Sequence, residues 1–143
     1  MIRRLKLLGA DKEMLLEMYE LHVRSILETA VPLWHSGLSI SDSNKIERVK
    51  KMAFSIILGF SYKSYKNAIK ILKVGSLKER RVQLCLNFAK KCTKTSEHSD
   101  LFQKMKINRP NTRSKKSFIE HNCRTKRYYD SAVPYLTRLL NQI

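Results

Sequence analysis

The stretch that decides the fold is SISDSNKIERVKKMAFSIILG, residues 39–59. Ile46, Val49, Ala53, Ile56 and Ile57 recur at three- and four-residue spacing, which is the period of one face of an α-helix. Ser39 with Asp42 three residues later resembles a capping box, with Asp in place of the usual Glu. Gly59 stands where a helix end favours positive φ. A helix over residues 40–58 is predicted. Arg48, Lys50 and Lys51 fall largely off its apolar face and form a basic ridge.

The same reading extends in both directions. Upstream, Asp11 is a plausible N-cap and Glu13 suits the positive end of a helix dipole. Leu15, Met18, Leu21, His22, Ile26 and Ala30 then trace an apolar stripe over 11–31. Pro32 is expected to end that helix, because proline disfavours the α conformation at the residue before it. Trp34 is expected to plug the junction with the next helix, beside the turn signal Ser36-Gly37. Downstream, Tyr65, Ala68, Ile69 and Leu72 suggest a shorter helix over 62–72. Ser76 and Glu79 form a capping box that opens another helix, running to Lys94. Leu77, Arg81, Leu84, Cys85, Phe88 and Cys92 lie on one side of it.

The character changes after Lys94. TKTSEHSD, residues 93–100, reads as a linker. From Lys104 to Arg127 there are nine basic residues against one acid, Glu120, with few apolar residues between them, so this part is expected to be extended and poorly packed. Order signals return with Tyr128, Tyr129, Val133, Tyr135, Leu136, Leu139 and Leu140, and Pro134 suits the start of a short terminal helix. The fold class expected is mainly α: a small helical bundle over 1–94, followed over 95–143 by a basic, partly extended C-terminal tail.

The formal net charge is +17, from 29 Lys and Arg against 12 Asp and Glu, and such an excess calls for a polyanionic partner. RNA or DNA backbone is the first candidate, because Lys and Arg displace condensed counterions from phosphates. An anionic membrane surface is the second. Uncharged stretches such as 52–62 fall well short of the roughly 20 residues needed to span a bilayer. No signal peptide is legible at the N-terminus, so an intracellular location, nuclear or cytoplasmic, is expected. The candidate nucleic-acid-binding residues are Arg48 and Lys51 on the central helix, with Lys115, Lys116, Arg124, Lys126 and Arg127 in the tail. Tyr128 and Tyr129 beside them suit stacking on unpaired bases, and suit a core equally well.

Chemistry is harder to find. Two-metal nucleotidyl transfer needs clustered carboxylates, whereas Asp11, Asp42, Asp100 and Asp130 are scattered. Phosphate-cradling glycine loops and nucleophile elbows are missing. Cys85, Cys92 and Cys123 have no paired spacing, so neither a zinc knuckle nor a disulfide framework is expected. No catalytic residue, metal or cofactor is assigned.

The ordered motifs resemble a known family. HVRSILETAVPLW (22–34) preceded by Tyr19, then KIERVKKMAFSIILG (45–59), are similar to the thumb region of LINE-type (non-LTR) retrotransposon reverse transcriptases. Tyr65, Ala68, Leu72, Leu77, Arg80, Arg81, Leu84, Cys85 and Phe88 continue the likeness, and RTKRYYDSAVPYLTRLLN (124–141) resembles that family's closing segment. The likeness covers nearly the whole chain. It implies a thumb and C-terminal region that grips a template–primer duplex, while the fingers and the catalytic palm would lie before Met1. A small basic helical protein-interaction module of the same origin is the alternative. With no carboxylate pair to hold metal ions, the purified chain is expected to give no primer extension on any template with any divalent metal. Template-dependent synthesis by a preparation free of other polymerases would contradict this.

Overall fold

The computed structural model describes residues 1–105 and 117–142. The protein is mainly helical, and among the described residues the only β pairing is an isolated antiparallel bridge between Lys104 and Phe118. The chain divides into two compact units, 1–29 with 39–80, and 30–38 with 81–143. This partition differs from the expected boundary after Lys94. Helix boundaries are local signals, whereas the units are set by which faces pack together.

The first unit begins with α1 (Ile2–Leu7), a helix too short for its periodicity to register in the sequence. Next comes α2 (Lys12–Met18), capped as expected by Asp11, whose carboxylate accepts from the Met14 amide at 2.7 Å. The helix then widens into a π-helical stretch, Tyr19–Arg24, and closes with α3 (Ser25–Leu27). The wider turn shifts the inward face. Leu15 and Tyr19 are buried, while Leu21 and Ile26, expected in the stripe, are exposed. The break is not at Val31 either. Ala30 takes a left-handed conformation (φ 52°), and Val31 starts α4 (Val31–Trp34). Pro32 is accommodated because it sits in the first turn, where its missing N–H costs no helical hydrogen bond.

Helix α5 (Ile40–Leu58) has the predicted bounds, with Ser39 accepting from the Asp42 amide at 3.1 Å. Gly59 has φ 55° and starts a 3-10 turn, Gly59–Ser61. A Cβ there would lie 2.7 Å from Lys6 Nζ, which donates to the carbonyls of Ile56 and Ile57 and so satisfies the end of α5 from α1. The buried face of α5 is centred about one residue beyond the predicted one. Val49 is exposed, whereas Phe54 and Lys50 are buried. The Phe54 ring meets Tyr19 edge-on at 5.7 Å and lies 6.3 Å from Tyr65 of α6 (Tyr65–Leu72). Lys50, only 1% exposed, lies over the Phe54 ring and donates to the Gly75 carbonyl. Its aliphatic stem packs as a core residue while the ammonium keeps a partner. Helix α7 (Leu77–Cys92) opens on a complete capping box: the Glu79 amide donates to Ser76 Oγ, and the Ser76 amide to Glu79 Oε2.

The second unit is built on the rest of α7. Cys85, Ala89 and Cys92 bury their side chains with Val31, Phe102, Leu136 and Leu140, and Phe88, expected on this face, is exposed. Trp34 packs against this cluster, and the neighbouring His35 ring meets Tyr135 edge-on at 5.6 Å. After the 3-10 stretch Ser96–Leu101 come the Lys104–Phe118 bridge, α8 (Lys126–Tyr129) and α9 (Ala132–Leu140). The described part of the expected tail is therefore packed: Phe102, Leu136 and Leu140 belong to a core, and α9 is the predicted terminal helix. Isolated apolar residues gain little from each other locally, but several can meet on one helix brought from elsewhere.

Burial lowers the Lys50 pKa by penalising the ammonium, with Glu47 opposing the shift. Below its folded pKa the charged Lys50 carries the desolvation cost. Above that folded pKa the folded protein has shed the proton while the unfolded chain still holds it, so stability rises with pH only between the lowered folded pKa and the unfolded value of about 10.4. Compared at each pH by urea unfolding, wild type should gain on Lys50→Met as pH rises through the lowered folded pKa towards about 10.4, and not below it. A constant difference between the two proteins would contradict this account.

Candidate nucleic-acid interface

Side chains in the second unit fasten the segment before α8 and cap α8 itself. The amide of Met105 donates to the Ser117 carbonyl at 3.0 Å and that of Ile119 to the Gln103 carbonyl at 2.9 Å, so 103–105 runs alongside 117–119. Asn141, just past α9, fastens this pair. Its Oδ1 accepts from the amides of Ser117 (3.2 Å) and Phe118 (3.0 Å), and its Nδ2 donates to the Phe118 carbonyl (3.0 Å) and to Glu120 (3.3 Å). An amide side chain offers both a carbonyl and an NH2, so it can pair with an extended backbone much as a neighbouring strand would. Further along, Thr125 caps α8 by accepting from the Tyr128 amide at 3.2 Å, and Ser131 Oγ donates to the Tyr128 carbonyl at 2.6 Å.

This short helix carries most of the predicted tail residues. Arg124, Lys126, Arg127, Tyr128 and Tyr129 are all exposed. Arg124, Lys126 and Arg127 form no ion pair among the described residues. The two tyrosines, equally suited by sequence to a core or a surface, are on the surface at 45% and 48% exposure. Tyr128 meets His121, with ring centroids 6.3 Å apart and its hydroxyl 3.5 Å from Nδ1. The Arg138 guanidinium lies over the Tyr129 ring, 3.5 Å from the centroid, and donates to the Tyr129 carbonyl at 2.9 Å. Arg138, His121 and Asn141 were not singled out from the sequence. They act on residues 7 to 24 positions away, and no short-range pattern marks such pairs.

The other predicted residues are not gathered there. Arg48 and Lys51 are exposed on α5 in the first unit, and Lys51 lies over the Tyr65 ring at 5.2 Å. Lys50 leaves the predicted basic ridge by turning inward. Lys115 and Lys116 lie outside the described residues.

Several residues that carry the family likeness bond to one another within the first unit. Glu47 Oε1 accepts from the Tyr65 hydroxyl and from the Leu77 amide at 3.3 Å. Glu28 accepts from Arg80 Nε at 2.6 Å, and Arg24 pairs with Glu20 and reaches Glu28 at 4.0 Å. Burial raises the pKa of both Tyr19 and Tyr65, and Glu47 adds to each shift. Both hydroxyls are therefore neutral at any ordinary pH. In the second unit, burial pushes the Cys85 thiol up to about 11, which makes it a poor nucleophile at neutral pH. Among the described residues, no group of three or more His, Cys, Asp or Glu could hold a metal ion, and no helix is long and apolar enough to cross a membrane. The chain matches no protein-family model, no curated protein and no solved structure.

Asn141→Ala removes four hydrogen bonds and leaves the Phe118 backbone short of partners. The expected cost is about 1–3 kcal/mol in thermal or urea unfolding. Amide exchange at Ser117 and Phe118 should quicken well before exchange in α7. Unchanged protection at those two amides would show that the clamp does not hold the segment.

Proposed function

We propose that the chain corresponds to the thumb and C-terminal region of a LINE-type reverse transcriptase and binds nucleic-acid backbone without sequence choice. The observation that carries the binding is the set of three cations, Arg124, Lys126 and Arg127, exposed and without an ion pair among the described residues, around a short helix that Thr125 caps and Arg138 ties to α9. Unpaired cations keep their full attraction for phosphate, because no internal carboxylate must first be displaced. The overall charge of +17 supports the reading, as do the ordered motifs similar to the thumb and closing segment of that family. Arg48 and Lys51 supply a second basic surface on α5, and Lys115 and Lys116 add charge in the sequence between the two halves of the bridge. Contacts of this kind give affinity and register rather than base discrimination.

The alternative, a protein-interaction module, draws on a different observation. Leu7, Leu8, Ile40 and Phe60 in the first unit are large apolar residues almost fully exposed. Scattered exposed apolar residues are common on protein surfaces, so the cations carry more of the argument.

A salt titration of labelled duplex DNA and single-stranded RNA tests the proposal. Each lost phosphate contact lowers the slope of log affinity against log salt by about 0.7–0.9. Changing Arg124, Lys126 and Arg127 together to Ala should therefore flatten the slope by about two to three units, alike for unrelated sequences. Equal slopes for the variant and wild type would move the contact surface elsewhere. Absence of wild-type binding at low salt would remove the nucleic-acid reading.

A further inference from the structure

Resting on that reading, we infer that Tyr129, backed by Arg138, is a stacking platform for an unpaired nucleobase, so that the α8 surface prefers single-stranded RNA or DNA to duplex. The Arg138 guanidinium covers one face of the ring at 3.5 Å from its centroid, yet the residue keeps 48% of its exposure. With one face covered by the guanidinium, the exposure that the residue keeps leaves the other face as the one for a ligand. A flat, exposed aromatic face with its back filled is the shape on which a base stacks.

The platform is held before any ligand arrives. Arg138 belongs to α9, anchored on either side by buried Leu136, Thr137 and Leu140, and it also donates to the Tyr129 carbonyl at 2.9 Å. The ring is thus fixed to α9 through both its face and its own backbone. Little side-chain freedom is left to lose on binding, which favours affinity. The guanidinium charge behind the ring also adds to the positive field that a strand enters.

Charge is correctly placed for the rest of a nucleotide. Lys126 lies three residues before Tyr129 on the same helix, so the two side chains share a face. Lys126 is exposed and without an ion pair among the described residues. A base on the ring would leave its phosphate within the field of that ammonium. Tyr128 presents a different direction, about 100° round the helix, and its ring and hydroxyl already meet His121. Tyr129 therefore carries the stacking. In a duplex the base faces are occupied by neighbouring pairs, so this ring finds a free face only on an unpaired strand or a terminus.

Fluorescence anisotropy with four labelled 12-mers tests the inference: oligo-U RNA, oligo-dT, an abasic deoxyribose strand of equal phosphate count, and a closed hairpin duplex. Wild type should bind both base-bearing strands roughly tenfold more tightly than the abasic strand, and more tightly than the hairpin. Tyr129→Ala should remove that preference, bringing the base-bearing strands to the affinity of the abasic strand. Tyr129→Phe should retain it, and Arg138→Gln should reduce it. Equal wild-type affinity for the abasic and base-bearing strands would overturn the platform and leave the phosphate-binding proposal intact. Loss of affinity for all four ligands alike in Tyr129→Ala, with Tyr129→Phe doing the same, would also overturn it. No wild-type binding to any of the four would remove both. The abasic comparison and Tyr129→Phe keep the test decisive even if Tyr129→Ala does not fold.

Discussion

The Glu47 carboxylate joins three helices. It projects from α5, accepts from the Tyr65 hydroxyl on α6 and takes the Leu77 amide at the start of α7. A carboxylate inside a helical core would be costly alone, and here the cost is offset by donors aimed at one of its oxygens. Lys50, one turn further along α5, brings a positive charge into the same region and ties the α6–α7 connection through the Gly75 carbonyl. Tyr19 and Phe54 complete the packing. The first unit is consequently held by a few charged and aromatic residues as much as by aliphatic burial. This suits a chain with so much positive charge, because Glu20, Glu28 and Glu47 are paired with donors on neighbouring residues.

The scarcity of acids also shapes the second unit. Within 81–143 the acidic residues are few, and Arg124, Lys126 and Arg127 find no carboxylate among the described residues. Structure is maintained there by neutral groups instead: Asn141 on the 117–120 backbone, Thr125 on α8, and an apolar cluster under α7 and α9. Holding the segment with amides and hydroxyls keeps the guanidinium and ammonium groups available for phosphates. Arg138, which is engaged, is bound to a ring and a carbonyl, neither of which cancels its charge.

The π-helical stretch Tyr19–Arg24 shows how a small local change redirects a whole face. At ordinary α spacing, Leu15 and Tyr19 would be followed on the same side by residues 22, 23 and 26. With the wider turn, His22 and Ile26 are exposed, and Arg24 and Glu28 are the partly covered pair that meets Arg80. An apolar stripe drawn with a constant 3.6-residue period therefore fails here through the period itself.

What the sequence determined by itself was local. The caps at Asp11, Ser39 and Ser76, the bounds of α5, the positive φ at Gly59 and the mainly helical class all follow from residues within one turn of each other. The exposure of the basic residues Arg48, Lys51, Arg124, Lys126 and Arg127 was also legible, because charge with no nearby acid stays in water. Tertiary structure alone decided that Lys50 is core, that Phe54 rather than Val49 is buried, and that Phe102 packs with Leu136 and Leu140. It alone joined Arg138 to Tyr129 and Asn141 to Phe118. The reason is one of range. A cap or a helical period is satisfied by neighbours in the chain, whereas a buried ammonium, a backed ring or a clamped backbone depends on partners that only folding brings within a few ångströms.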